Sequence, residues 1–368
     1  MNDTITYKQF KCIFTLAFLA LNFLTYASRL TNACLTDGIL PILITSAIAY
    51  AGACAIIKVM LSHKGMDFRQ ILTLLWGKVF GNIVFGIFVL NLFHFSWYAI
   101  RLLSEQIGVC MLRNVSVVMI ELILILTVLF IGIKRLRTLG NLSQILIWYA
   151  GINLLLLLLL TSKAAEIKNM LPLFTSGLPE YTRGVLVTSS YLFSAVLALP
   201  FFIPKVEGIY GKNKVIYKDM LIIFAAVFAV YCAFYVMCIS VLGTEFTIDY
   251  VFPALRIVQS DNSHNAFFER FEIMLLSSVI VMHIMYFSVT LRSVKTAAES
   301  VFNEKNAKIA FFLSPVIVFA VVLFFKNQAI GKIIFQSVDA SNITAPHALL
   351  PFIVYIGYLL KKRKMKNE

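Results

Sequence analysis

The chain has 368 residues, of which 60% are apolar and only 14% charged. Soluble domains carry about 25% charged residues, so a water-soluble globular protein is excluded and an integral membrane protein is indicated. The net charge of +14 is a separate question, because its distribution along the chain decides what it means.

Taken in order, the apolar runs define ten spans at roughly 10–28, 39–61, 79–103, 115–133, 143–161, 184–204, 215–242, 269–291, 309–325 and 345–360. No small-residue cleavage pattern precedes the first, which is therefore expected to be retained. Ten spans place both termini on one side. With that side in the cytoplasm, 22 of the 32 Lys and Arg fall inside, including the KKRKMK tail, and 10 fall outside or at outer span ends. This is the asymmetry of the positive-inside rule, and it suits an anionic inner leaflet. The basic excess is thus a topology signal, and no nucleic-acid role follows from it.

Span one ends in LNFLTYASRL, where Asn22, Thr25 and Tyr26 form a polar cluster inside an apolar run. Between spans two and three, HKGMDFRQILTLLWGKVFG reads as a short amphipathic helix with Phe68, Ile71, Leu72 and Leu75 on one face. The Gly77–Gly81 spacing that follows lets two backbones approach closely. Ionisable groups inside spans are expensive, so each is a functional hypothesis. Arg101 and Glu105 stand four apart at the outer end of span three and are expected to pair across one helical turn. Glu121, about two turns into span four, needs a neutral form or an Arg partner. His94 and His283 lie deep in spans three and eight, either as packing histidines or within reach of a polar ligand.

The most informative stretch is span six. Residues 184–204 carry no charge, yet Pro200 and Pro204 each lack an amide hydrogen, so the carbonyls of Val196 and Pro200 lose their helical partners. Freed carbonyls are tolerated at membrane depth only when buried in protein or lining a wet cavity. A proline-interrupted span therefore points to a midplane binding site, with a kinked packing helix as the competing reading. Ser194 and Ala195 sit just before the break. Tyr191, one turn earlier, is expected to wall the same pocket, with His94 and Tyr98 of span three and His283 of span eight facing it. Span eight opens with FFERFE, where Glu269 and Glu272 share a face and meet the positive helix N-terminus, while Arg270 points toward a neighbouring span or partner. The loop at 243–268 mixes apolar and polar residues, and reads either as a cover over an outer vestibule or as a simple connector.

The six cysteines form no CxxC pair and the five histidines show no ligand spacing, so no metal site or disulfide framework is indicated. HExxH, GxxxxGK[ST] and GxSxG are absent, and neither a cofactor nor an enzymatic activity is expected.

Several pieces, in order, carry a resemblance: ITYKQF at Ile5–Phe10, the Asp37–Gly38 pair, GKVFG at Gly77, IRLLSEQI at Ile100, NMLPLFTSGLPE at Asn169, the proline-ended span six, and FFERFE at Phe267. With ten spans, the chain resembles the B subunit of the spore germinant receptors, the endospore germination permease family within the amino acid–polyamine–organocation superfamily. The resemblance implies an all-α, LeuT-like membrane domain over 1–368. It would be built of two inverted five-helix repeats, about 10–161 and 184–360, with spans one and six broken around a central small-molecule site. It also implies two partner subunits, a membrane A subunit and a lipoprotein C subunit, a small-molecule germinant, and residence in the spore inner membrane. The chain departs from the family pattern at two points. Where members carry a glycine and then a proline in span one, this chain has Asn22 and Ala27 or Ser28. Span six also lacks the acidic residue many members place near its middle. Two functional classes remain, a ligand-sensing receptor subunit and a secondary transporter of an amino acid or similar solute.

Overall fold

The first apolar run is cut in two. In the computed structural model, which describes residues 4–21, 23–112, 114–211, 213–259, 271–326 and 345–367, helix α1 (Tyr7–Ala20) stops and α2 (Tyr26–Cys34) starts six residues later. Asn22 and Arg270, with Glu269, lie outside the described residues. A capping box opens α1: the Thr6 hydroxyl accepts from the Gln9 amide at 3.3 Å, and the Gln9 side chain accepts from the Thr6 amide at 2.9 Å. At its far end Leu21 turns extended, with ψ 130°, so the last carbonyls of α1 have no helical partner.

The remaining helices follow the expected runs. They are α3 (Ile39–Ser62), α4 (Phe68–Trp76), α5 (Lys78–Cys110), α6 (Val117–Ile133) and α7 (Leu136–Thr161). Then come α8 (Leu178–Val196), the single turn α9 (Leu199–Phe202), α10 (Asn213–Asp249) and α11 (Pro253–Gln259). The described chain closes with α12 (Phe271–Glu299), α13 (Glu304–Lys326) and α14 (Ala345–Asn367). Among the described residues six helical stretches are long and apolar enough to cross a membrane, and α6, with 17 residues, falls just short. Span one does not qualify because the break halves it. Four spans outrun their expected ends by seven or eight residues, α12 and α14 among them. α5 continues to Cys110, supported by the Arg101–Glu105 pair, and α10 resumes past a kink at Gly243 (φ 76°) to Asp249.

Span six is interrupted where its prolines fall. α8 ends at Val196, and Pro200 sits in the first turn of α9, where a missing amide hydrogen leaves no bond unmade. Pro204 lies in a final 3₁₀ turn, Ile203–Lys205. Burial identifies the centre. In the Leu178–Lys205 stretch 94% of the apolar window is buried, against 28% for Leu136–Ala164, whose Ile145, Trp148 and Leu155 point outward as lipid-facing side chains do. Around α8 lie α2, α3 and α14. Helix α1 packs on α7 and α12, and α12 runs along α5.

Each end of this core is tied across sequence. At one end Ile5 bridges the chain beyond span six: its amide donates to Lys205 O at 3.0 Å, and the Glu207 amide donates back to Ile5 O at 2.8 Å. Lys11 and Asp219 pair beside it at 3.0 Å. At the opposite end the Asp37 carboxylate accepts from the amides of Phe174 (2.6 Å) and Ser176 (2.9 Å), clasping the loop before α8 to the α2–α3 corner. The amphipathic helix is α4, with Phe68, Ile71 and Leu72 buried. It lies so close to α5 that a Cβ built on Gly81 would meet the Leu72 carbonyl oxygen at 2.5 Å, which is why glycine stands there.

Candidate functional site

In the interior α8 packs against both halves of the broken span one, and α10 supplies the groups that satisfy the break in span one. Tyr231 of α10 donates its hydroxyl to Leu21 O at 3.1 Å, with Leu19 O at 3.5 Å, so the end of α1 is capped by a side chain from another span. Tyr26, the first residue of α2, donates to the Tyr231 carbonyl, and the two rings meet edge to face at 4.7 Å. One turn further along α10, the Tyr235 hydroxyl donates to Leu35 O and accepts from the Gly38 amide at 3.1 Å, steadying the far end of α2. Tyr231 and Tyr235 thus hold both ends of the broken segment. Sequence reading missed them, although two tyrosines four apart on one helical face were the available signal.

Across the second interruption the Ser194 hydroxyl donates to Tyr191 O at 2.9 Å, and the Tyr286 phenol of α12 lies beside it. Ser194, Ala195 and Tyr286 have no exposed surface, and Thr25 and Tyr191 are 3% exposed. The expectation that Ser194 and Ala195 open their side chains to a cavity is therefore corrected for this conformation. The segment is closed, because the serine bonds back to its own helix and tyrosines fill the space around it. Described residues at the two breaks offer hydroxyls and backbone amides and carbonyls, with no carboxylate or ammonium.

The remaining predicted residues separate. Tyr98 is buried on α5 and its hydroxyl accepts from the Arg29 guanidinium of α2 at 3.1 Å, which ties span three to the broken span one. His94 turns away toward α14, with its ring 5.9 Å from His347 and 5.6 Å from Trp97. His283 faces α5 and α6 among Ala99, Leu103, Leu124 and Val128, and its Nδ1 lies 2.9 Å from Val279 O. Neither histidine shares a pocket with Ser194, because the 3.6-residue period of each helix aims it at a different neighbour. Arg101 pairs with Glu105 at 2.6 Å and also with the fully buried Glu121 at 3.0 Å, supplying the Arg partner that Glu121 required. Glu272 lies in the first turn of α12. Among the described residues no three His, Cys, Asp or Glu are grouped to hold a metal ion.

Two interrupted helices packed face to face inside a helical bundle define a transporter-type membrane fold, and comparison with solved structures agrees. The chain superposes on MhsT in complex with L-phenylalanine with TM-score 0.72 at 12% identity, covering 95% of this chain and 89% of that one. It superposes on a mutant manganese transporter of Eremococcus coleocola with TM-score 0.65 at 13% identity, covering 95% and 76%. The fold is LeuT-like. Residues 4–330 match the family described as spore germination protein, and the chain belongs to that germination permease family. A relative within it, spore germination protein YndE of Bacillus subtilis (strain 168), is 25% identical over 287 residues, 76% of each chain.

Proposed function

We propose that this protein is the membrane subunit of a spore germinant receptor, binding a small nutrient such as an amino acid between the broken spans and passing the change in conformation to partner subunits. The observation that carries the reading is the packing of span six on both halves of the broken span one, where buried Tyr191 lies near Tyr231 and buried Ser194 beside Tyr286. Backbone carbonyls and amides there suit the ammonium and the carboxylate of an amino acid respectively, and hydroxyls suit its orientation. Membership of the germination permease family supports the sensing role, and the L-phenylalanine complex of MhsT supports the ligand size. The partners would be a membrane A subunit and a lipoprotein C subunit. The site of action would be the spore inner membrane, with both termini cytoplasmic as the charge asymmetry requires, and residues 10–161 and 184–360 would form the two inverted repeats.

The second reading is a secondary transporter. Coupled transport needs a titratable or cation-binding group near the midplane. The described residues of both breaks offer no carboxylate or ammonium for proton coupling, and Asn153 at the centre of α7 is engaged with Ser278 at 3.1 Å. Tyr286→Phe and Ser194→Ala remove one hydroxyl each without adding bulk. In spores with unchanged amounts of the subunit, either should shift the dose response to amino-acid germinants. An unchanged dose response in both variants would refute the central site. Reconstituted protein that concentrates an amino acid many-fold under an imposed proton gradient would establish the transporter instead.

A further inference from the structure

A cleft of about 850 Å³ opens between the last turns of α5, the start of α6 and the α10–α11 corner. Small-molecule sites typically measure about 300–1,000 Å³. None of its lining residues belongs to α1, α2, α8, α9 or α12, so it is distinct from the central region of Ser194 and Tyr231. Its walls differ in charge. On the α5 wall one guanidinium, Arg101, meets two carboxylates, Glu105 and Glu121. Glu121 has no exposure, whereas the Glu105 side chain is 35% exposed and lines the cleft. The trio therefore presents a carboxylate to a visitor. On the α11 wall stands Arg256, exposed, with its guanidinium carbon 5.4 Å from the centre of the Tyr250 ring. Val117 and Leu255 supply apolar lining.

We propose that this cleft is a second small-molecule site, for a ligand that carries an ammonium and an anionic group beside an apolar body. Glu105 receives the ammonium, Arg256 the anionic group, and the valine and leucine surfaces the apolar part. Charge-assisted hydrogen bonds at both ends of the ligand would fix its orientation across the cleft. Two sources share this chemistry: a free apolar amino acid, and the headgroup of an amine-bearing phospholipid lying against the outer ends of α5 and α6. The proposal does not rest on the central site.

Cys110 lines the cleft and provides a native reporter. The full-length protein is placed in nanodiscs of phosphatidylglycerol alone, which bears no ammonium. Alkylation by a maleimide is then followed at each cysteine by mass spectrometry, with L-alanine, L-leucine or L-phenylalanine added. A free amino-acid ligand slows labelling at Cys110 while Cys12, remote from the cleft, reacts as before. Glu105→Gln, which leaves Arg101 its contact with Glu121, should raise the half-protecting concentration about tenfold or more, as should Arg256→Gln. In the second arm phosphatidylethanolamine is added to the discs. Protection of Cys110 there without any amino acid, lost in Glu105→Gln, assigns the site to the lipid headgroup. Labelling of Cys110 that neither the amino acids nor the lipid slows would overturn the proposal. So would protection that persists unchanged in both charge variants.

Discussion

Replacing Tyr231 by Phe tests whether the break in span one is held by its cap. The substitution keeps the ring, its edge-to-face contact with Tyr26 and the backbone carbonyl that Tyr26 uses, and removes only the hydroxyl. Of the two carbonyls it meets, Leu21 at 3.1 Å is a full hydrogen bond and Leu19 at 3.5 Å is at the limit, so one bond is at stake. Leaving a buried acceptor unsatisfied costs about 1–3 kcal/mol. Polar contacts between membrane helices measure lower, about 0.6 kcal/mol on average and up to about 1.7. The expected loss is therefore about 1–2 kcal/mol, because Leu21 is buried and the neighbouring Tyr26 and Tyr235 hydroxyls are already engaged. Unfolding of the purified protein in mixed micelles measures it. Tyr50→Phe is the comparison, since that hydroxyl reaches Tyr217 O at 3.3 Å in a partly buried place. Hydrogen exchange of the Phe23–Thr25 amides should also quicken in Tyr231→Phe. If the variant unfolds like Tyr50→Phe and exchanges like the parent, the tyrosine cap is not what holds the break.

Three further outcomes are expected. Gly81→Val should destabilise the protein by about 1–3 kcal/mol through overpacking against the Leu72 carbonyl, whereas Gly86→Ala, with open space around it, should be nearly neutral in the same thermal assay. Arg101→Met removes the cation that Glu121 meets at full burial and should cost about 3–5 kcal/mol, with much of the loss recovered in the double variant Arg101→Met/Glu121→Gln. Burial works to raise the pKa of Asp37, but the amides of Ser176 and Phe174 outweigh it and hold the carboxyl below its ordinary value. Its contribution is thus complete above the ordinary carboxylate range and fades as pH falls through the lowered value. Exchange of the 174–176 amides should accelerate only under those acidic conditions, and Asp37→Asn should abolish that pH dependence.

Span six was legible because proline announces its own effect: Pro200 cannot donate, so the helix had to stop near Val196. The break in span one was legible only through the family resemblance and the polar Asn22, Thr25, Tyr26 cluster, since neither glycine nor proline marks it. There the interruption depends on Tyr231, more than two hundred residues away, and a cap of that kind leaves no local signature. The Arg101–Glu105 pair followed from four-residue spacing, and Glu121 from its need for a partner. The grouping of His94 and His283 with Ser194 failed for a different reason. Depth along a span can be counted from sequence, but the direction a side chain faces depends on which helices surround it. His347, which meets His94, belongs to the far end of the chain.

The bridge between Ile5 and Val206 also constrains how the protein is made. A ribosome adding about 5–20 residues per second reaches Val206 roughly 10–40 s after Ile5. Through that interval α1 has neither its partner segment nor the Tyr231 hydroxyl, and the bare carbonyls of its last turn face whatever the insertion machinery offers. Biogenesis thus has an obligatory wait, which ends only when the seventh span has been synthesised. A truncation that stops before α10 should leave span one without a defined break, however well its own residues are inserted.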